Sequence, residues 1–462
     1  MLEKKYSLAE FFCGCGGTSR GFTRSGRFNA VFGNDIKAEA LRTFEFNHRQ
    51  DDVPPVTVRE DIRLLDVERI HEALRERGVA KGDLDCMIGG PPCQGFSQLR
   101  RSEHREKGKI VKFKGYSQLA HDPRNDLVLR YLEVAEALQP KFLVIENVPQ
   151  MLSHGFDGRL GKLSEIVIQM LERDLGYKVE VAVLNSADYG VPQLRERAVF
   201  IASSIGSASM PRPSHCDPSN ERLLREGRMP WVTVADAISD LPAPSVGEDV
   251  LGGQALNLYG DDPSVYAQQM RSAPTFPYNH ITRSYRKSVL DIIKEMRPGK
   301  TWDTESERMR DKYASAIKKL SVSKGISLEA AKAELERSKA INPVFYKDYY
   351  WSAYSRLAWD LPSLTITANA NFLGSGRFTH PIEMRGITMR EAARLQSFDD
   401  DFRFITSDSE DMDAVRVGVG MDMIGEAVPP LLSKAIAMHL AEQLDGFRTE
   451  APVNAKLAAK LG

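Results

Sequence analysis

The sequence predicts an α/β fold: a doubly wound, mostly parallel sheet with a second, smaller domain. Three observations predict it. Residues 1–200 alternate short apolar runs with amphipathic stretches, the rhythm of strands joined by crossover helices. From about 203 to 350 that rhythm is lost: Pro, Ser and Gly become frequent, and a charged helical stretch follows around Glu305–Lys339. Apolar periodicity then returns from Leu364 and ends in an amphipathic helix over Pro430–Leu444. The expected division is 1–202 for the main domain, 203–350 for the smaller one, and 351–462 for a segment that returns to complete the first. A chain of 462 residues is long enough for two or three cores.

Strands are expected at Ser7–Cys13, Asn29–Asn34, Leu84–Ile88, Phe142–Ile145, Val179–Leu184 and Ala198–Ala202, each a short apolar run bounded by turn residues. Helical periodicity covers Ile36–Asn47, Leu64–Arg77, Leu127–Leu138 and Leu163–Leu175. Open α/β sheets place their sites beyond the carboxyl ends of strands, which singles out the segments that follow each strand.

The first strand runs into Phe12-Cys13-Gly14-Cys15-Gly16-Gly17, whose glycines let backbone approach a ligand closely. The spacing is not Gly-x-Gly-x-x-Gly, so a dinucleotide is not favoured. Asp35-Ile36 follows the second strand, 18 residues beyond Gly17. A carboxylate there can accept hydrogen bonds from ribose hydroxyls, or cap the next helix. Asp61-Ile62 follows the third strand position.

The run Leu84–Ile88 ends in Gly89-Gly90-Pro91-Pro92-Cys93-Gln94-Gly95-Phe96-Ser97. Proline fixes φ, so the turn is stiff and holds Cys93 at a strand's carboxyl end, a placement suited to a nucleophile. Glu146 ends the apolar run Phe142–Ile145, where a carboxylate is costly to bury unless paired or protonated. Strand alternation in Gln193-Leu194-Arg195-Glu196-Arg197 puts Gln193, Arg195 and Arg197 on one face. Solvated charge on an edge strand is the alternative.

Composition narrows the class. Five cysteines, none in Cys-x-x-Cys spacing, make neither a disulfide framework nor a zinc site, so no metal is expected. No apolar stretch approaches membrane-helix length, and Met1-Leu2-Glu3-Lys4-Lys5 leads straight into a strand, so no signal peptide is expected. A reducing cytoplasm fits these cysteines best. Net charge is −1, yet residues 271–347 hold 17 Lys/Arg against 9 Asp/Glu. Such segregation is the footprint of a phosphate-binding face, although charge runs are more often solvated helix surface. A second basic stretch, including Arg100, Arg101, Arg105, Lys107, Lys109, Lys112 and Lys114, begins just after Cys93 and suits a lid that closes over nucleic acid.

Taken together, the nine-residue Cys loop, Glu146-Asn147-Val148 and Gln193-x-Arg195-x-Arg197 resemble the DNA (cytosine-5)-methyltransferases of bacteria. The resemblance covers about 1–202 and 352–444, in the family's motif order. It implies a Rossmann-like, S-adenosylmethionine-dependent methyltransferase domain and a target-recognition domain in the 203–350 gap. It makes Cys93 the nucleophile at cytosine C6, Glu146 the donor to N3 and Arg197 the contact to O2, with Arg195 helping to orient Glu146. It assigns S-adenosyl-L-methionine, and its product S-adenosyl-L-homocysteine, to Phe12, Gly14, Gly16, Gly17, Asp35, Ile36, Asp61, Ile62, Gly90 and Pro91.

The chemistry agrees with the residue set. Adding a thiolate at C6 while N3 receives a proton makes C5 nucleophilic enough to take a methyl group, and this needs an activated Cys, an acid and a cationic clamp. In duplex DNA the base must first be flipped out, at a cost of a few kcal/mol. The expected partner is double-stranded DNA, with a separately acting restriction endonuclease possible and the enzyme itself a monomer. Two readings stand beside this one: a tRNA cytosine-5 methyltransferase, and a non-catalytic DNA-binding regulator. One departure from the family is Glu426 in Gly425-Glu426-Ala427-Val428-Pro429-Pro430, where relatives commonly carry Asn.

Overall fold

The computed structural model describes residues 5–92, 105–106, 109–110, 125–153, 162–246, 260–271, 277–349, 351–370, 372–376, 378–406 and 416–461. Cys93 and most of the basic stretch after it lie outside the described residues. Seven strands form the central sheet: β1 (Tyr6–Phe11), β2 (Phe28–Asp35), β3 (Val56–Arg59), β4 (Cys86–Gly89), β5 (Phe142–Asn147), β6 (Lys178–Asn185) and β7 (Glu196–Ser203). Their order is β3-β2-β1-β4-β5-β7-β6. The first five are parallel, while β7 runs antiparallel to both β5 and β6. An antiparallel partner needs no crossover helix, which is why β6 and β7 follow each other so closely. The chain winds outward in both directions from β1 and β4, creating a switch point at their carboxyl ends.

Five helices cross between the early strands: α1 (Gly17–Arg24), α2 (Ala38–Asn47), α3 (Val67–Glu76), α4 (Asn125–Leu138) and α5 (Lys162–Gln169). The helix expected over Leu163–Leu175 changes pitch instead, since Met170–Asp174 is a π turn. α2 starts two residues later than its periodicity suggests, because the Asp35 side chain accepts from Lys37 N and closes a turn first.

The pleat of β1 divides the interior. Ala9 and Phe11 join a core with Ile70, Leu74, Val128 and Leu132. Tyr6 and Leu8 point to the other face, against Phe22 and against Leu432, Ile436 and Leu440 of the last helix, α10 (Pro430–Leu461). The end of the chain is therefore part of the sheet's second layer. α10 also continues well past the predicted Leu444. Its approach to α1 is close: an added Cβ on Gly17 would lie 2.5 Å from the Val428 carbonyl, and one on Gly21 2.2 Å from that of Pro430.

Two further cores lie outside the sheet. α6 (Trp302–Lys324) and α7 (Leu328–Arg337) pack Trp302, Met309, Tyr313 and Ala331 against Ile341 and Phe345. Several of their charges are paired internally, with buried Glu305 held by Arg297 at 2.8 Å and by Arg308 at 2.7 Å. In the other core Val234, Tyr266 and Met270 meet α8 (Met389–Leu395) and α9 (Val417–Glu426). There fully buried Arg394 joins Asp240 at 2.5 Å to Asp400 at 2.6 Å. Among the described residues no helix is long and apolar enough to cross a membrane.

Candidate active site

The carboxyl ends of β4 and β5 build the first half of the site. After β4 the chain turns through Gly90-Pro91-Pro92, and Asn147 Nδ2 donates to the Pro91 carbonyl at 2.9 Å, fastening that turn to β5. A Cβ on Gly90 would lie only 3.1 Å from Glu146 Oε2. The Glu146 carboxylate therefore stands directly over the turn that leads into Cys93. Arg197, at the start of β7, places Nε 2.6 Å from Glu146 Oε1, with both side chains largely buried. Oε2 has no hydrogen-bond partner among the described residues.

Arg195 makes its hydrogen bonds elsewhere: the ion pair with Glu146 is made by Arg197, and Arg195 acts on that carboxylate through its charge. Arg195 lies between the Gln193–Leu194 ladder and β7, only 1% exposed. Its guanidinium donates to the carbonyls of Ile366 (2.8 Å), Gly425 (2.9 Å) and Ala427 (3.1 Å). The irregular backbone between the two strands turns it toward the returning C-terminal segments, whose unpaired carbonyls demand donors. Gln193 works beside it: it accepts from Ile366 N at 3.0 Å and donates to the Leu395 carbonyl at 3.1 Å. Gln193 and Arg195 are couplers, and among the described residues Arg197 makes the ion pair with the carboxylate.

The second half of the site lies at the ends of β1 and β2. Phe12 adopts φ 53° and Gly14 φ 52°, and a Cβ on Gly14 would meet nothing within 4 Å. Gly14 N donates to Asp35 Oδ2 at 2.9 Å, so loop and carboxylate are preset against one another. Each carboxylate oxygen keeps a lone pair for a further donor. Ile36 is 62% exposed, an apolar platform at the strand end. An open glycine loop, a carboxylate with acceptor capacity and an exposed apolar side chain fit a nucleoside with a charged tail.

Other predicted contacts are already engaged. Gly16 is filled from below by His48, whose Cε1 lies 2.3 Å from an added Cβ, and Gly17 is pressed on Val428. Asp61 is gripped by its neighbour Arg63, whose Nη2 lies 2.5 Å away. Ile62 turns its side chain into the core.

Further residues not anticipated from the sequence complete the picture. Glu10, 4% exposed, accepts from Ser19 N at 3.0 Å and from Ser19 Oγ, tying β1 to α1 under the loop. Burial pushes its carboxyl up to about 7. Lys37 pairs with Glu426 at 2.5 Å, and Glu39 with Arg416 at 2.9 Å. The unusual Glu426 is thus matched by a lysine across the cleft, and α9 is pinned to the start of α2. Such half-exposed pairs are worth about 0–1 kcal/mol.

Comparison with known proteins decides the family. The model of the C-5 cytosine-specific DNA methylases matches residues 6–442. This chain belongs to that family. Among the methylase's relatives, the type II methyltransferase M.AgeI of Thalassovita gelatinovora is 30% identical, over 93% of this chain and 97% of its own. M.DdeI of Desulfomicrobium norvegicum is 28% identical over 94% and 88%. A DNA modification methyltransferase encoded within an E. coli prophage shares the fold of the methylase, with TM-score 0.61 at 20% identity over 96% of this chain and all of that one. The fold and family are those of S-adenosylmethionine-dependent enzymes, and the methylase acts on cytosine in DNA.

Proposed function

We propose that the methylase modifies one specific cytosine in double-stranded DNA through a flipped base and a covalent Cys93–C6 intermediate. The observation that carries this is the Arg197–Glu146 pair standing over Gly90-Pro91, the turn that delivers Cys93. The Cys93 thiolate adds to C6. Glu146, its Oε1 fixed by Arg197, uses Oε2 to hold or give a proton at N3, and Arg197 also faces O2. When bound, S-adenosylmethionine supplies an electrophilic sulfonium methyl. Afterwards the C5 proton departs to a base and the thiolate is expelled, restoring the aromatic ring.

Phe12, Gly14, Asp35, Ile36, Gly90 and Pro91 would hold the cofactor, with Asp35 at the ribose. Gly16 and Gly17 would shape the loop from behind. Asp61 and Ile62 would serve through backbone groups, since their side chains are engaged elsewhere. No metal takes part in this scheme. Residues 1–202 and 351–462 would form the catalytic unit, and 203–350 would read the DNA through base edges and backbone. The relatives named type II methyltransferases support a modification enzyme of a restriction–modification system, acting as a cytoplasmic monomer apart from any endonuclease.

Two results are expected. Methylating a plasmid and mapping 5-methylcytosine by bisulfite sequencing yields one short recognition sequence, while tRNA is not methylated; methylated tRNA and unmodified plasmid would reverse the assignment. S-adenosylmethionine raises the thermal midpoint of the enzyme, and Asp35→Ala removes most of that rise. An undiminished shift in the variant would place the ribose elsewhere.

A further inference from the structure

The returning segment beside Arg195 carries an exposed aromatic ring. Ser363-Leu364 pairs with Gln193-Leu194, Thr365 Oγ1 donates to the Leu194 carbonyl at 3.0 Å, and the Ile366 carbonyl accepts from Arg195 at 2.8 Å. The chain then turns twice, with Ala370 N donating to the Thr367 carbonyl and Phe372 N to that of Asn369, both at 3.0 Å. Phe372 therefore lies within roughly 20 Å of Ile366, the most that six residues span.

A single exposed apolar residue is ordinary on a protein surface, but three features set this one apart. Its backbone is clamped. Ala370 and Leu373 are buried in the core shared with α8 and α9, the Leu373 carbonyl accepts from Tyr354 N at 2.8 Å, and an added Cβ on Gly425 would lie 2.3 Å from the Thr367 carbonyl carbon. Between these anchors Phe372 is 61% exposed. It also adjoins other rings. A Cβ on Gly374 would lie 3.1 Å from Phe372 Cε1 and 3.4 Å from the Tyr354 hydroxyl, and Tyr354 meets Trp302 and Tyr349 at centroid distances of 5.8 Å. Finally, residues 361–382 contain no Asp or Glu, although the chain holds 63 of them among 462 residues. A stretch without carboxylates can approach phosphates without repulsion.

We propose, on the flipped-base reading given above, that Phe372 is a stacking wedge whose ring enters the duplex where the target cytosine leaves it. Opening the base stack costs free energy. An apolar ring held ready on a fixed turn offsets part of that cost by stacking on the bases that remain. The exposed side chains of Thr367 and Asn369 beside it suit the polar base edges and backbone of the same duplex. The DNA-reading surface then extends beyond 203–350 into the returning segment.

The test uses the full chain, S-adenosyl-L-homocysteine and a duplex of the mapped recognition sequence with 2-aminopurine in place of the target cytosine. Fluorescence reports unstacking of that base, and affinity is titrated in parallel on the unmodified duplex. Wild type at saturation should raise the fluorescence. Phe372→Ala should lose most of that rise even at saturation and bind the duplex about tenfold or more weakly, the worth of one base–aromatic stack. Because the ring is exposed, this variant should keep the wild-type thermal midpoint and its rise with S-adenosylmethionine. Phe372→Tyr, which keeps a ring, should keep both flipping and affinity. A full fluorescence rise or unchanged affinity in Phe372→Ala, or a Phe372→Tyr enzyme as impaired as Phe372→Ala, would overturn the wedge alone. No rise with the wild type would overturn the flipped-base reading and the wedge with it.

Discussion

Glu146→Gln lowers the rate of methyl transfer by about 10²–10⁴-fold, the range that removal of a positioned acid–base group typically costs. The amide keeps the shape of the carboxylate and can still accept from Arg197 Nε, so the fold and DNA affinity should persist. What is lost is proton exchange at Oε2, the oxygen that faces the Gly90 turn. Arg197→Ala should fall in the same range by a different route, because it frees Oε1 and removes the cation proposed for O2. Single-turnover kinetics with saturating DNA and cofactor separate chemistry from binding. A Glu146→Gln enzyme with near-normal turnover would remove Glu146 from the mechanism.

Arg195→Ala acts on the scaffold instead. The wild-type guanidinium serves three backbone carbonyls from two returning segments. Among the described residues only Ala427 of these has a second side-chain donor, Gln396 Nε2 at 2.7 Å. Hydrogen bonds to charged groups are worth about 1.5–3 kcal/mol each, and a cavity remains where the side chain was, so the loss of stability should be about 3–5 kcal/mol. That is a large share of an ordinary domain's 5–15 kcal/mol. Differential scanning fluorimetry should show a midpoint lower by several degrees. A midpoint within a degree of wild type would mean that these segments are held by other contacts.

These two outcomes divide what the sequence makes legible from what it does not. Strand positions could be read because parallel strands buried on both faces form near-continuous apolar runs; all four residues of β4 are buried. The glycine loop, Asp35 and Glu146 could be placed because sites gather at carboxyl ends of such strands. Which arginine meets Glu146 could not be read. Alternation assigns a face, but Arg195 and Arg197 share one, and the choice is made by carbonyls contributed from residues 366 and 425–427, far along the chain. The engagement of Asp61 by Arg63, and of Gly17 by Val428, escaped for related reasons: a motif names a residue type without saying which neighbour already holds it. The Lys37–Glu426 pair is a compensation across two distant segments, visible only once both are folded together.

The central claim is the proposal that Cys93, acting with Glu146 and Arg197, attacks cytosine C6 in DNA. The most direct measurement uses a duplex carrying 5-fluorocytosine at the mapped target, incubated with enzyme and S-adenosylmethionine and run on a denaturing gel. Fluorine at C5 cannot leave as a proton does, so the thiolate cannot be expelled. The account predicts a denaturation-stable protein–DNA adduct that depends on the cofactor and is absent in Cys93→Ala. No adduct with the wild type, or an adduct that survives Cys93→Ala, would contradict it.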